Sequence, residues 1–252
     1  MKKIFQLSCC RNVYLNLACV FIAGFISCQE HNKPDSSSPD VISVKTIAST
    51  PAIVEVIDTA GKELQPASLI SIGKKNELPL SGVYQWNNHL ILYAAINDLE
   101  SVLQQTHAAY PNAEVKVYQH PFYNFNRKHC GDTTIAKEWD NIILTANLVS
   151  DSTLQREYLD YHATQFEKWP EVSKGFCEAG FQQLLVYKNG RQLMLAISIP
   201  KGASLDELNP KTTENNPRVD EWNRRMKKYQ EGIVGTKRGE TWVFFKQLRI
   251  KN

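Results

Sequence analysis

Several things are scarce in this chain, and each scarcity excludes something. Its 29 Lys and Arg against 26 Asp and Glu leave a net charge of only +3, and no basic stripe concentrates that excess. A nucleic-acid partner therefore has no electrostatic footprint here. No Cys/His cluster has the spacing of a metal site, and no cofactor pattern appears, so the expected chemistry uses side chains alone. Cysteine is sparse where it would matter. Of six residues, Cys9, Cys10, Cys19 and Cys28 lie near the N-terminus, leaving Cys130 and Cys177 for the folded region. Those two are compatible with a disulfide or with two buried thiols.

Long hydrophobic runs are scarce too. The apolar segment from Leu15 to Ile26, after the basic Met1-Lys2-Lys3 and Arg11, is too short for a comfortable membrane span. It stops at Phe25-Ile26-Ser27-Cys28, which resembles a bacterial lipoprotein signal, although a bulky Phe25 stands where Leu is usual. The resemblance implies removal of residues 1–27, a lipidated Cys28, and attachment to the inner or outer membrane facing the periplasm or cell surface. An uncleaved N-terminal anchor is the alternative. Residues 28–40, with Lys33-Pro34-Asp35-Ser36-Ser37-Ser38-Pro39, read as a flexible tether. Roughly 210 residues then remain for folding.

What is there divides into two halves that echo each other, expected as domains over 41–139 and 140–252. Val83 to Leu92 and Val186 to Leu195 both read as strand, tight turn, strand, and Asn189-Gly190 is a strong hairpin signal because both positions tolerate positive φ. Each hairpin precedes an amphipathic helix and a β-rich segment, Glu114 to Tyr118 and Thr241 to Leu248. In the later half, Ile142 to Val149 predicts a strand. Ser152 and Gln155 then predict a capping box for a helix whose inner face carries Leu154, Tyr158, Tyr161 or His162, and Phe166. Pro170 should end or bend that helix. Pro200 to Asn216 is polar and reads as a mobile surface loop. Asn216-Pro217 opens a second helix with Val219, Trp222, Met226 and Tyr229 at helical spacing, and Trp242 to Leu248 is the last strand. The order βαββαβ is that of an α+β, ferredoxin-like unit. One such sheet leaves a face uncovered, and a second, degenerate unit from the earlier half would close it into an α+β barrel, either within one chain or between two.

The sharpest local feature is Glu157-Tyr158-Leu159-Asp160-Tyr161-His162. Residues four apart share a helix face, so Tyr158 and His162 point into one cleft. Together with Trp169-Pro170-Glu171, Gly180, Tyr187, Glu221-Trp222 and Met226, this segment resembles the L-rhamnose mutarotase family of dimeric α+β-barrel proteins. The resemblance implies interconversion of the α and β anomers of a free monosaccharide, with no cofactor. It places His162 on the catalytic acid and Tyr158 and Trp222 on sugar-contacting positions. Imidazole titrates near neutrality, which suits proton transfer to the ring oxygen; Tyr158, a poor base, is given an orienting role.

Three departures from the family pattern bear on the preferred sugar. Extra residues, about one helical turn, separate His162 from Trp169. Leu184 stands in place of a tyrosine, and Asn223 in place of a second tryptophan. Those losses also suit a non-catalytic carbohydrate-binding or interaction module on the same fold. Tyr187 has a twin in Tyr84, which favours packing. His129-Cys130 with Asp132, the aromatic His120-Pro121-Phe122-Tyr123, and Arg224 to Lys228 are left outside the active site. The first of these is weak as a nucleophile, the second reads as barrel lining or interface, and the third as a solvated helix face.

Overall fold

A near-continuous apolar, β-branched run, broken only by Glu55, dictates a first strand buried on both faces. In the computed structural model, which describes residues 50–248, β1 spans Ala52–Asp58. The signal, Cys28 and the tether lie outside the described residues. Ile53 and Glu55 of β1 face one way while Val54 and Val56 face the other, against α1 (Ala67–Lys75) and α2 (Leu99–Ala109). Asp98 caps α2 by accepting from the Ser101 N–H. With β2 (Val83–Trp86), β3 (His89–Ala94) and β4 (Ala113–Tyr118), the first half runs βαββαβ. Its antiparallel sheet has the order β2-β3-β1-β4. This half thus has all six elements of a ferredoxin-like unit, including a first strand and helix that the hairpin echo did not reveal.

The second half repeats the plan. β6 (Trp139–Leu148) leads to α3 (Ser152–Ala163), the one-turn α4 (Gln165–Lys168) and α5 (Pro170–Glu178). β7 (Gln183–Asn189) and β8 (Gln192–Pro200) form the second hairpin, followed by α6 (Leu205–Leu208) and α7 (Pro217–Lys227). The short β9 (Gln230–Glu231) and β10 (Val243–Phe244) both pair with β6. Gly190, at φ +58°, and Asn87, at φ +47°, make the two hairpin turns in the left-handed region that the tight-turn reading requires.

Each half lends a strand to the other. β5 (Tyr123–Asn126) follows the first half in sequence yet pairs with β7, whereas β11 (Lys246–Gln247) follows the second and pairs with β2. The two sheets face each other across a shared core that includes Ile53, Tyr93, Met194 and Phe245. The α+β barrel therefore closes within one chain. Tyr84 donates to the Asn141 carbonyl (3.2 Å), and its counterpart Tyr187 donates to the Pro51 carbonyl (2.6 Å), so the twin tyrosines clamp opposite halves in the same way.

Four local expectations change. Asp151, not Ser152, caps α3, its carboxylate accepting from Thr153 and Leu154 N–H groups. Pro170 begins α5 instead of ending α3, because a proline lacking an N–H is well placed in a first helical turn. Pro200 to Asn216 is not a bare loop: it folds into α6 and a 3₁₀ turn over Asn209–Thr212 whose Thr212 is buried. The last strand breaks at Phe245, which turns into the barrel while its neighbours join different sheets. Cys130 and Cys177 are joined by a disulfide.

Candidate active site

Tyr158 and His162 share the inner face of α3, as their spacing predicts, and both are buried. Trp222 reaches the same place from α7, its ring 5.2 Å from the imidazole. The three line a cavity of ≈ 700 Å³ between these helices and the outer face of β7 and β8, a size suited to a small molecule. Leu184, Val186, Leu195 and Ile197 form its apolar floor; Asn223, Lys227, Gln230 and Thr241 supply polar groups. Leu184 and Asn223, where the chain departs from the family pattern, thus both face the cavity.

The histidine's hydrogen bond sets its chemistry. Nδ1 lies 2.9 Å from the Tyr158 carbonyl, which accepts only, so Nδ1 carries the proton and Nε2 keeps its lone pair. Phe122, Tyr123, Tyr158 and Trp222 surround the ring. Burial in this aromatic shell pushes its pKa down to about 4, opposed by the bond to the Tyr158 carbonyl. The resting imidazole is neutral, unlike the group poised near neutrality that composition alone suggests.

Tyr158 is arranged as a donor. Gln230 Nε2 donates to its hydroxyl oxygen (3.2 Å), while Gln230 Oε1 accepts from Trp242 Nε1 (3.1 Å). With its oxygen already accepting, the phenol has its proton free for a ligand. Burial raises its pKa far above the usual phenol value and keeps it protonated. One turn of helix therefore offers a hydroxyl donor beside a nitrogen acceptor, with ring centroids 4.2 Å apart.

Several contributors escaped sequence reasoning. Phe122 and Tyr123 pack edge-on against His162 because β5 is lent to the second sheet. Their aromatic cluster was visible, but its destination was not. The additional turn between His162 and Trp169 is α4, and its fully buried Gln165 accepts from the Tyr123 hydroxyl (2.6 Å) and donates to the Trp169 carbonyl (2.6 Å). Gln230 and Trp242 carry no pattern that marks them. Trp169 lies under the Arg218 guanidinium, 3.8 Å from its centroid, and supports Trp222 from behind. Glu157 points outward to Tyr229 and Lys228. His129 stacks on Phe166 at 3.8 Å, away from the cavity, and Cys130 is committed to the disulfide. Among the described residues no group of three His, Cys, Asp or Glu could hold a metal ion.

Comparison with known proteins points to the same segment. Residues 126–248 match the L-rhamnose mutarotase family model. An L-fucose mutarotase from Xanthomonas campestris pv. campestris is 27% identical over 97 residues, 38% of this chain and 75% of that protein. A UPF0734 protein from Dictyostelium discoideum is 28% identical over 99 residues, 38% of this chain and 77% of that protein. Among solved structures, a monooxygenase-titled protein from Fusobacterium nucleatum aligns over 82% of this chain and 96% of its own, with a TM-score of 0.45 and 10% identity. The fold assignment rests on strand order alone. The resemblance to the L-rhamnose mutarotase family that the sequence carries is thus shown over residues 126–248.

Proposed function

We propose that the protein is a sugar mutarotase that exchanges the α and β anomers of a free monosaccharide in the Tyr158–His162 cavity. The observation that carries this reading is the neutral His162, whose Nδ1 is tied to the Tyr158 carbonyl while Nε2 is left as an acceptor in a sugar-sized cavity. Anomer exchange moves one proton between two oxygens bonded to the same carbon, C1. Nε2 takes the C1 hydroxyl proton; the C1–ring-oxygen bond breaks as the aldehyde forms, and the imidazolium returns that proton to the ring oxygen. Rotation about C1–C2 and reversal of the two transfers give the other anomer. A single base would suffice, because both oxygens are bonded to C1.

Tyr158 holds the sugar through its hydroxyl proton, and Trp222 offers a ring face for the C–H surface of the pyranose. Leu184 and Asn223 would tune which sugar fits. A 6-deoxy sugar such as rhamnose or fucose is the first class to test, since its methyl group suits the apolar floor of Leu184, Val186 and Ile197. Saturation-transfer NMR on free deoxy sugars and aldoses reads exchange directly. Accelerated exchange that disappears in His162→Gln supports the reading; saturable binding with no exchange on any sugar replaces it with a binding module.

Export with a lipid on Cys28 belongs to the same proposal, and the Cys130–Cys177 disulfide supports it, since such bonds persist in oxidising compartments. Labelling with a radioactive fatty acid, lost in Cys28→Ser, tests the anchor. The enzyme would then supply anomers on the outer side of a membrane, ahead of a step that accepts only one of them.

A further inference from the structure

At the end of the barrel ringed by the two hairpin turns lies a larger cavity, ≈ 1000 Å³, lined from both halves and separate from the Tyr158–His162 cleft. Its floor is polar, which the interior of a closed sheet pair ordinarily is not. Glu55 is fully buried there, and its oxygens accept from His89 Nδ1 (2.7 Å), Tyr118 OH (2.8 Å) and Gln192 Nε2 (3.0 and 3.1 Å). Lys116 Nζ donates to Gln192 Oε1 (2.9 Å), which fixes that amide's orientation.

Register shows how unevenly the duplicated halves use this layer. Tyr84 pairs with Ile91, and Tyr187 with Met194, so His89 and Gln192 occupy equivalent positions; so do Glu55 and Thr145, which pair with Ile91 and Met194. One half thus supplies a carboxylate and an imidazole where the other has a hydroxyl and an amide. Burying a carboxylate is costly even when its bonds are satisfied. A layer serving only to hold the halves together would be met by the amide and hydroxyl, which already bond to each other (3.2 Å). The Glu55–His89 pair adds an oriented ring. With Nδ1–H held by the carboxylate, the ring is fixed at the floor of an open cavity with Nε2 left for a ligand, and Trp86 lies beside it, 5.4 Å between ring centroids.

The cavity wall indicates what would fit. Each charged side chain on it already has a partner: Asp58 accepts from the Ala60 and Lys62 N–H groups, Glu63 from Gln85, Glu114 lies by Lys116, and Arg191 pairs with Glu231. These bonds hold the charged groups in place, and the small carboxylate excess that remains, Asp58, Glu63 and Glu114 against Lys116 and Arg191, disfavours anions. Carboxamides dominate the remainder, and two of them, Asn87 and Asn147, make no hydrogen bond to a described residue. Amides both donate and accept, as a hydroxyl does.

We propose that the barrel mouth is a second ligand site, for a small, uncharged, hydroxyl-rich molecule, with His89, oriented by Glu55, as its hydrogen-bonding partner. It is independent of the mutarotase reading. The test titrates the full chain with myo-inositol and sorbitol, uncharged and lacking an anomeric carbon, with gluconate and glucosamine as charged counterparts, while the histidine Cε1–H signals are followed by NMR. A saturable shift of the His89 signal by the neutral polyols, with affinity weakened about tenfold by Asn147→Leu, is the expected result. Asn87→Gly keeps the backbone conformation of that turn and should weaken binding in the same direction. Polyols that leave His89 unmoved, shift only His162, or bind these variants as tightly overturn the proposal; so does preference for either charged probe.

Discussion

At His162 one carbonyl and four aromatic rings determine what the imidazole can do. Since the folded ring has a pKa of about 4 against an ordinary 6.5, it is a base, not a proton reservoir, throughout the neutral range. Anomer exchange should accordingly hold steady through mildly acidic pH and fall as pH drops through about 4, a profile that stopped-flow polarimetry would measure. Replacing the ring by His162→Gln should cost about 10² or more in exchange rate. Stability follows the same group with a definite sign. Below 6.5 the unfolded chain takes up the proton and the folded chain does not, so stability is full above that pH and declines as pH falls towards about 4. The loss is on the order of 3 kcal/mol. Denaturant titrations of wild type and His162→Gln across this window should show the steeper slope in the former.

At the level of elements, α3 was legible because its face repeats every three to four residues, and Tyr158 and His162 landed where that period placed them. The stretch after Pro200 was not legible, since a polar composition does not distinguish a loop from a cover held by tertiary contacts. What holds it is a close approach: a Cβ on Gly175 of α5 would lie 2.2 Å from the Thr212 carbonyl oxygen. Gly175→Ala should therefore push this segment outward, destabilising the fold by about 1–3 kcal/mol. Its neighbours Thr212 and Thr213 line the cavity, so sugar affinity should fall as well, read from KM in the exchange assay. The disulfide is a second element-level tie. It joins the segment after β5 to the end of α5 across 47 residues, and replacing both cysteines by serine should cost about 4 kcal/mol, measured by guanidinium unfolding.

For the whole molecule, two sheets of similar plan close one barrel within a single chain. The paired tyrosine bonds allow this to be tested. Tyr84→Phe and Tyr187→Phe each remove one bond between halves and leave a backbone carbonyl in need of a partner, so each should cost about 1 kcal/mol. Because the two bonds reach different carbonyls in opposite halves, the double variant should lose close to the sum of the two in thermal or urea unfolding. A protein whose halves unfold separately would instead give two transitions.

Periodicity, turn chemistry and helix starts act over a few residues, and these the amino-acid order determined unaided: the two hairpins, α3 with Tyr158 above His162, and the Val219–Trp222–Met226 stripe of α7. Strand exchange, by contrast, depends on which sheet edge is open when the chain arrives. Only the tertiary structure decided that β5 brings Phe122 and Tyr123 to His162, and that β11 crosses to β2. It also decided what burial does to a side chain: a histidine that titrates near neutrality in water becomes a neutral base once aromatic rings exclude solvent. No local sequence signal records that solvent is missing.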